Sequence, residues 1–182
     1  MPAPVLKLDF SEDQQFLVVL PGETYSSSLL DLCRYLDQSF DSVCYVTLTK
    51  MLQSIVQSFE KHGINYNKFE FIDACTETVV KNFLPSSKAI YIDAPNALTD
   101  LLLAISRVLD GKKCPILLFD SVSVLLVYND PKTVSKFVHS LTTMLRAKNV
   151  KGIFTCLVSD EASGMVSQME PFVDQVVKPA VK

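Results

Sequence analysis

The chain has 182 residues, 48% of them hydrophobic, and a formal net charge of −3. That length supports a single domain, residues 1–182, able to bury about 70% of the surface that its unfolded form exposes. The slight negative charge argues against non-specific nucleic-acid binding, which needs a basic footprint to displace phosphate counterions. No apolar run reaches the roughly 18 to 20 residues of a membrane span.

The N-terminal stretch MPAPVLKLDFSEDQQ lacks the basic region, apolar stretch and small-residue cleavage site of an export signal, so a soluble cytoplasmic protein is expected. Cys33, Cys44, Cys75, Cys114 and Cys156 are odd in number, widely spaced and mostly set in apolar segments, and they read as small buried hydrophobes. No pair has the two-residue gap of a zinc or redox motif, and His62 and His139 lie far apart, so no metal site is expected. Lys132, Lys136, His139, Arg146, Lys148 and Lys151 are the one local concentration of basic residues, which on a helix reads as solvated surface.

Phe16–Leu20, FLVVL, is the first predicted strand. After a loop over Pro21–Ser28, Leu29, Leu32, Cys33, Leu36 and Phe40 recur at helical spacing. Val43–Leu48 is the second strand. Met51, Leu52, Ile55, Val56 and Phe59 trace one face of a second helix, with Gly63 placed for a left-handed C-terminal cap. Phe69–Asp73 is the third strand, Ala74–Ser87 has room for a short helix, and Ala89–Asp93 reads as a brief strand. Asn96 is expected to cap a helix that carries Leu98, Leu101, Leu102, Ile105, Val108 and Leu109 inward and ends at Gly111.

Pro115–Asp120, PILLFD, has the nearly continuous apolar character of a strand buried on both faces, which places it centrally in a parallel sheet. Asp130 and Pro131 open the longest helix as N-cap and first helical residue, with Val134, Phe137, Val138, Leu141, Met144 and Leu145 on its buried face. Ile153–Val158 and Phe172–Val177 are the last strands, the latter at an edge. This alternation predicts an α/β fold with a doubly wound, mostly parallel sheet and helices on both faces.

Ligands of such sheets bind beyond the carboxyl ends of the strands, so the residues closing each strand matter most. Asp73, Asp93 and Asp120 each end an apolar run. They could gather as a carboxylate cluster for Mg²⁺ and phosphate chemistry, or each could accept hydrogen bonds from nearby loop and helix N–H groups; the sequence leaves both open. The strand, Gly22-containing loop and helix at the N-terminus have the layout of a phosphate-binding loop. A working loop needs a second glycine, a lysine on the β- and γ-phosphates and a hydroxyl on Mg²⁺. Counted from Gly22, those positions hold Ser27, Ser28 and Leu29. Gly22, Ser26, Ser27 and Ser28 therefore form a degenerate loop that keeps only the means to hold a simple anion at a helix N-terminus.

PILLFDSVSVLLVYN, Pro115–Asn129, resembles the Walker-B strand of the RecA/KaiC ATPase family, with Asp120 and Ser121 at the family's aspartate and the residue after it. CYVTLTK, Cys44–Lys50, is similar to the family's strand ending in Thr-Phe-Glu-Glu, and FIDACT, NALTDLLLAI and FVDQVVKP are similar to segments of divergent archaeal KaiC-like proteins. The resemblance runs from Phe16 to Pro179 and implies a RecA-like core. The family's tandem glutamates, one of which activates the attacking water, fall on Thr49 and Lys50, neither of them a general base for water. The resemblance therefore implies a pseudo-ATPase with no catalytic residue and no cofactor, ATP included. Such a module is expected to act through a protein partner or as a homo-oligomer, in regulation or scaffolding. Residual nucleotide binding, weak ATPase activity, or a Mg²⁺-dependent phosphate-handling enzyme built on the strand-end aspartates are the alternatives.

Overall fold

A computed structural model describes residues 8–11, 14–80, 85–162 and 164–178. Most of the N-terminal stretch, part of the Ala74–Ser87 segment, and Pro179 at the end of the family resemblance lie outside the described residues. Among the described residues seven strands form one sheet: β1 (Gln15–Leu20), β2 (Val43–Thr47), β3 (Phe69–Asp73), β4 (Ala89–Tyr91), β5 (Ile116–Asp120), β6 (Lys151–Leu157) and β7 (Gln175–Val177). Their spatial order is β4-β3-β2-β5-β6-β1-β7, and every neighbouring pair is parallel. The two most apolar runs take interior places, β5 between β2 and β6, and β1 between β6 and β7.

Side chains alternate across the strands and so supply two cores. Leu17, Val46, Ile72, Leu117 and Phe119 face a layer made by α4 (Leu98–Lys112), α5 (Val122–Tyr128), α6 (Pro131–Ala147) and α7 (Met165–Met169). Phe16, Val18, Tyr45, Phe71 and Leu118 face α1 (Tyr25–Ser39) and α2 (Leu52–Lys61). A four-residue helix, α3 (Thr76–Val79), follows β3. Helices thus cover both faces, the doubly wound arrangement expected from the alternation of apolar runs and helical periods.

Several local signals act as their chemistry dictates. Gly63 follows α2 with φ of 69°, a backbone region cheap only for glycine. Asp130 Oδ1 accepts from Thr133 N at 3.0 Å, with Pro131 filling the first helical position, where no amide hydrogen is needed. The buried face of α6 is Val134, Phe137, Val138, Leu141, Thr142 and Leu145; Met144 is only half-buried.

Other expectations are corrected. The segment after β1 is not a loop through Ser28: a 3₁₀ turn occupies Gly22–Thr24, and α1 begins at Tyr25. Asn96 does not cap α4, which starts at Leu98 after Ala97. The helix runs past Gly111 to Lys112 and ends on Lys113 in the left-handed region, φ 51°. The apolar stretch after Asp120 is the helix α5, and a short helix, α7, precedes the last strand, which covers only Gln175–Val177.

Candidate functional site

Asp120, the last residue of β5, lies opposite Thr47 at the end of β2 and is reached by the first residue of α1, the helix that follows β1. Its carboxylate is fully buried and accepts three hydroxyl hydrogens. Tyr25 Oη donates to Oδ1 at 2.5 Å; Tyr45 Oη and Thr49 Oγ1 share Oδ2 at 3.0 and 2.8 Å. Each donor is placed by a different element. Tyr25 is the first residue of α1, Tyr45 points from β2 into the layer shared with α1 and α2, and Thr49 lies in the turn after β2. With its own hydrogen on Asp120, the Tyr25 oxygen accepts from Thr155 Oγ1 of β6 at 2.7 Å, and Phe119 O lies 3.2 Å from that same threonine hydroxyl as a second, longer acceptor. Ser121 is buried beside the same tyrosine hydroxyl, and the Asp120–Ser121 peptide bond is cis.

Burial pushes the Asp120 carboxyl above the ordinary carboxylate range, opposed by the hydrogen bonds from Tyr25, Thr49 and Tyr45 and by the Lys50 charge. Burial, and then the charge of Asp120, push both phenols up, so Tyr25 and Tyr45 stay protonated as donors. The result is a closed network. Protein hydroxyls take three of the roughly four acceptor positions of a fully buried carboxylate, so a metal-bound water or a substrate would have to open the surrounding layer to reach it.

The phosphate-loop positions lie beside this network but do not form a cradle. Gly22 is exposed, stands outside the left-handed region, and a Cβ there would meet nothing within 4 Å, so nothing about its backbone requires glycine. Ser26 and Ser27 are exposed in the first turn of α1, and Ser27 Oγ bonds back to Thr24 O at 2.9 Å. Ser28 is fully buried, its hydroxyl without a hydrogen-bond partner among the described residues. Lys50 Nζ donates to Ser26 Oγ at 3.2 Å, which sets a cation over the first turn of α1.

The strand-end aspartates do not converge. Asp73 and Asp120 both pair with Thr47 of the strand between them, which separates their backbones by roughly 10 Å at ordinary strand spacing. Asp73 is buried and accepts from the amides of Leu52, Cys75 and Thr76 at 2.8–2.9 Å and from the Thr76 hydroxyl, the local acceptor role open to any strand-end aspartate. Asp93 is exposed beyond β4 and bonds Glu77, whose carboxyl it pushes up. Among the described residues no three His, Cys, Asp or Glu side chains are grouped to hold a metal ion.

The basic residues of α6 and beyond are partly neutralised in place. Arg146 pairs with Asp174 at 2.7 Å, Lys148 with Asp110, and the His139 ring lies 4.8 Å from that of Phe172. Cys33, Cys44, Cys114 and Cys156 are buried, and burial pushes their thiols up, Cys156 to about 12.

Tyr25, Tyr45 and Thr155 were not legible as site residues. Their partners lie on other strands, and hydrophobic periodicity carries no information about hydroxyl contacts between them. The one local signal is the bulk of Tyr25, three residues after Gly22, where a phosphate loop needs room for an anion.

A family model described as a family of unknown function (DUF7504) matches residues 35–179. None of the curated proteins compared with the chain matches it. Among solved structures, a KaiC-like protein from the hyperthermophilic archaeon Pyrococcus horikoshii OT3 is similar over 91% of this chain and 70% of its own, with a TM-score of 0.67 and 14% identity. At that identity the likeness shows the fold alone, a RecA/KaiC-like α/β fold.

Proposed function

We propose that this chain, which belongs to the family of unknown function DUF7504, is a single pseudo-ATPase domain, a divergent relative of archaeal KaiC-like proteins that turns over no nucleotide and works through protein contacts in regulation or scaffolding. The observation that carries the reading is the enclosure of Asp120. The carboxylate that the resemblance aligns with a Mg²⁺-handling aspartate is buried under the hydroxyls of Tyr25, Tyr45 and Thr49. Helix α1 also begins at Tyr25, so the residues that would wrap phosphates are wound into its first turn. Ser28, Leu29, Thr49 and Lys50 supply neither the phosphate lysine, the Mg²⁺ hydroxyl nor the water-activating carboxylate. The same reading places the protein in the cytoplasm; among the described residues no helix is long and apolar enough to cross a membrane.

The test is a thermal-shift titration with Mg-ATP, coupled to a phosphate-release assay. Millimolar ligand with a Kd of about 10 μM would add roughly 2.7 kcal/mol, a melting shift on the order of 5 to 10 °C for a domain this size. No shift and no released phosphate are expected. A Mg²⁺-dependent shift of that size that disappears in Gly22→Asp overturns the reading.

One observation favours a second reading, anion or nucleotide binding without turnover. Lys50 Nζ sits on Ser26 Oγ at the start of a 15-residue helix. A shift that is independent of Mg²⁺ and lost in Lys50→Met would support this reading over the first.

A further inference from the structure

Helices α1 and α2 each leave the carboxyl end of a strand of the same parallel sheet, β1 and β2, and return toward its amino end, so they run in one direction over one core. Between them lies a cleft of about 230 Å³. Ser26, Leu29 and Cys33, at i, i+3 and i+7, form its wall on α1. Ile55 and Phe59, at i and i+4, form its wall on α2, and Tyr45 of β2 lies at its floor. Cys33 on one helix and Ser58 on the other line it with small side chains, where bulkier residues would close the gap.

Charge enters the cleft at one end only. Ser26 and Ser54 belong to the first turns of α1 and α2, and Lys50 lies in the turn that leads into α2, so all three stand at the carboxyl end of the sheet. Lys50 Nζ donates to Ser26 Oγ at 3.2 Å and has no ion-pair partner among the described residues. No carboxylate belongs to the lining. Farther in, Leu29, Cys33, Ile55 and Phe59 are buried apolar side chains, with Ser58 the one aliphatic hydroxyl beside them.

Size and charge together select a ligand. One lysine offsets a single negative charge, not the several of a nucleoside triphosphate. Apolar walls favour each buried methylene by about fourfold in affinity. At the roughly 30 Å³ that a water takes in the liquid, the volume corresponds to about eight non-hydrogen atoms.

We propose that the cleft between α1 and α2 binds a small aliphatic monocarboxylate of about six carbons, its carboxylate on Lys50 and Ser26 and its hydrocarbon body between Leu29, Cys33, Ile55 and Phe59. Ser26 accepts from Lys50, which leaves its own hydrogen for a ligand oxygen. The hydrocarbon packs on the ring of Tyr45, whose Oη holds Asp120 Oδ2 at 3.0 Å, so an occupant supports the closed network from outside. The proposal rests on the reading of Lys50 as an anion site without turnover and names the chemistry of the ligand. A bare anion separates the two, because it needs Lys50 and not the cleft.

The probes are sodium hexanoate, hexan-1-ol, sodium acetate and inorganic phosphate, each titrated into the full chain at neutral pH and constant ionic strength and followed by amide NMR. Hexanoate is expected to bind with a Kd of about 1 mM or tighter, shifting amides of α1 and α2. Hexanol should bind about fivefold more weakly for want of the charge, and acetate about tenfold more weakly or worse for want of the methylenes. Lys50→Met should bring hexanoate down to the level of hexanol with unchanged melting temperature, since the lysine is exposed. Ser58→Leu, which fills the cleft and leaves Lys50 in place, should weaken hexanoate about tenfold or more. If Ser58→Leu melts below wild type, Ser54→Trp on the exposed rim is the blocking variant instead. Acetate or phosphate binding as tightly as hexanoate and lost in Lys50→Met would overturn the proposal and leave the anion site standing. Hexanol equal to hexanoate, or hexanoate indifferent to Lys50→Met or to the blocking variant, overturns the proposal as well. No response to any of the four probes at millimolar concentration overturns both the proposal and the anion site.

Discussion

Tyr25 Oη donates to Asp120 Oδ1 at 2.5 Å and so ties the first residue of α1 to the last residue of β5 across 95 positions of sequence. Tyr25→Phe removes that donor and leaves one oxygen of a buried carboxylate short of a partner. The variant should be less stable by about 1–3 kcal/mol, roughly 2–4 °C in Tm per kcal/mol at this size. Tyr35→Phe, on the exposed side of the same helix, should stay within about 0.5 kcal/mol. Equal melting curves for the two variants would show that the bond contributes nothing.

Asp120 titrates in an unusual direction for a hydrogen-bonded carboxylate. Burial raises its pKa in the folded state, so between the ordinary carboxylate value and the raised one the native chain holds more protons than the unfolded chain. The stability this group contributes is present below its unfolded pKa and is lost as pH rises through the folded value. An amide in place of the carboxyl would not titrate. The melting temperature of Asp120→Asn minus that of wild type should therefore climb as pH is raised from about 4 to about 7. A difference that falls over that range would give the carboxyl the opposite shift.

Asp174 should behave with the opposite sign. Burial pushes its carboxyl up, but the hydrogen bonds from Arg146, Gln14 N and Gln15 N together outweigh it, and its pKa lies below the ordinary value. Its stabilisation is therefore present above the unfolded pKa and lost as pH falls through the folded one. Asp174→Asn should cost about 1–3 kcal/mol at neutral pH, and the deficit should shrink in melts below about pH 4. A deficit constant with pH would mean that only packing is lost.

Phe137 packs from α6 against Phe119 of β5 with ring centroids 5.7 Å apart and is 4% exposed. Phe137→Ala should cost about 3–5 kcal/mol, whereas Lys136→Ala, one position along on the exposed side, should change little. Urea titrations that give the two variants the same midpoint would place the wrong face of α6 against the sheet.

The sheet was legible in the sequence because parallel strands buried on both faces are written as nearly continuous apolar runs, and FLVVL and ILLFD stand out from their surroundings, while FEFID is interrupted by Glu70 and reads as a strand from its aromatic and β-branched residues. The helix starting at Pro131 was legible for a different reason, since Asp130 and Pro131 satisfy their requirements with near neighbours. What was not legible falls where one composition suits two structures. VSVLLVY is as apolar as a strand, and only its place after β5 makes it α5. The segment after β1 is the clearest case. The count of residues between Gly22 and Ser28 matches a phosphate loop, but Tyr25 gains a buried carboxylate partner by starting the helix early. That contact depends on the fold being complete.

The strand order also dictates when the chain can be assembled. β1 lies between β6 and β7, Gln15 opposite Gly152 and Phe16 opposite Gln175, and all six of its residues are shielded from solvent. β2, β3, β4 and β5 can pair with one another as they emerge from the ribosome, but β1, made before them, finds its neighbours only in β6 and β7, made after them. Until β6 is made, FLVVL is therefore an unpaired apolar segment, the kind that recruits chaperones or other nascent chains. A truncation removing everything after Val150 would leave that segment without a sheet to join, and the fragment should appear in the insoluble fraction although its other four strands are intact.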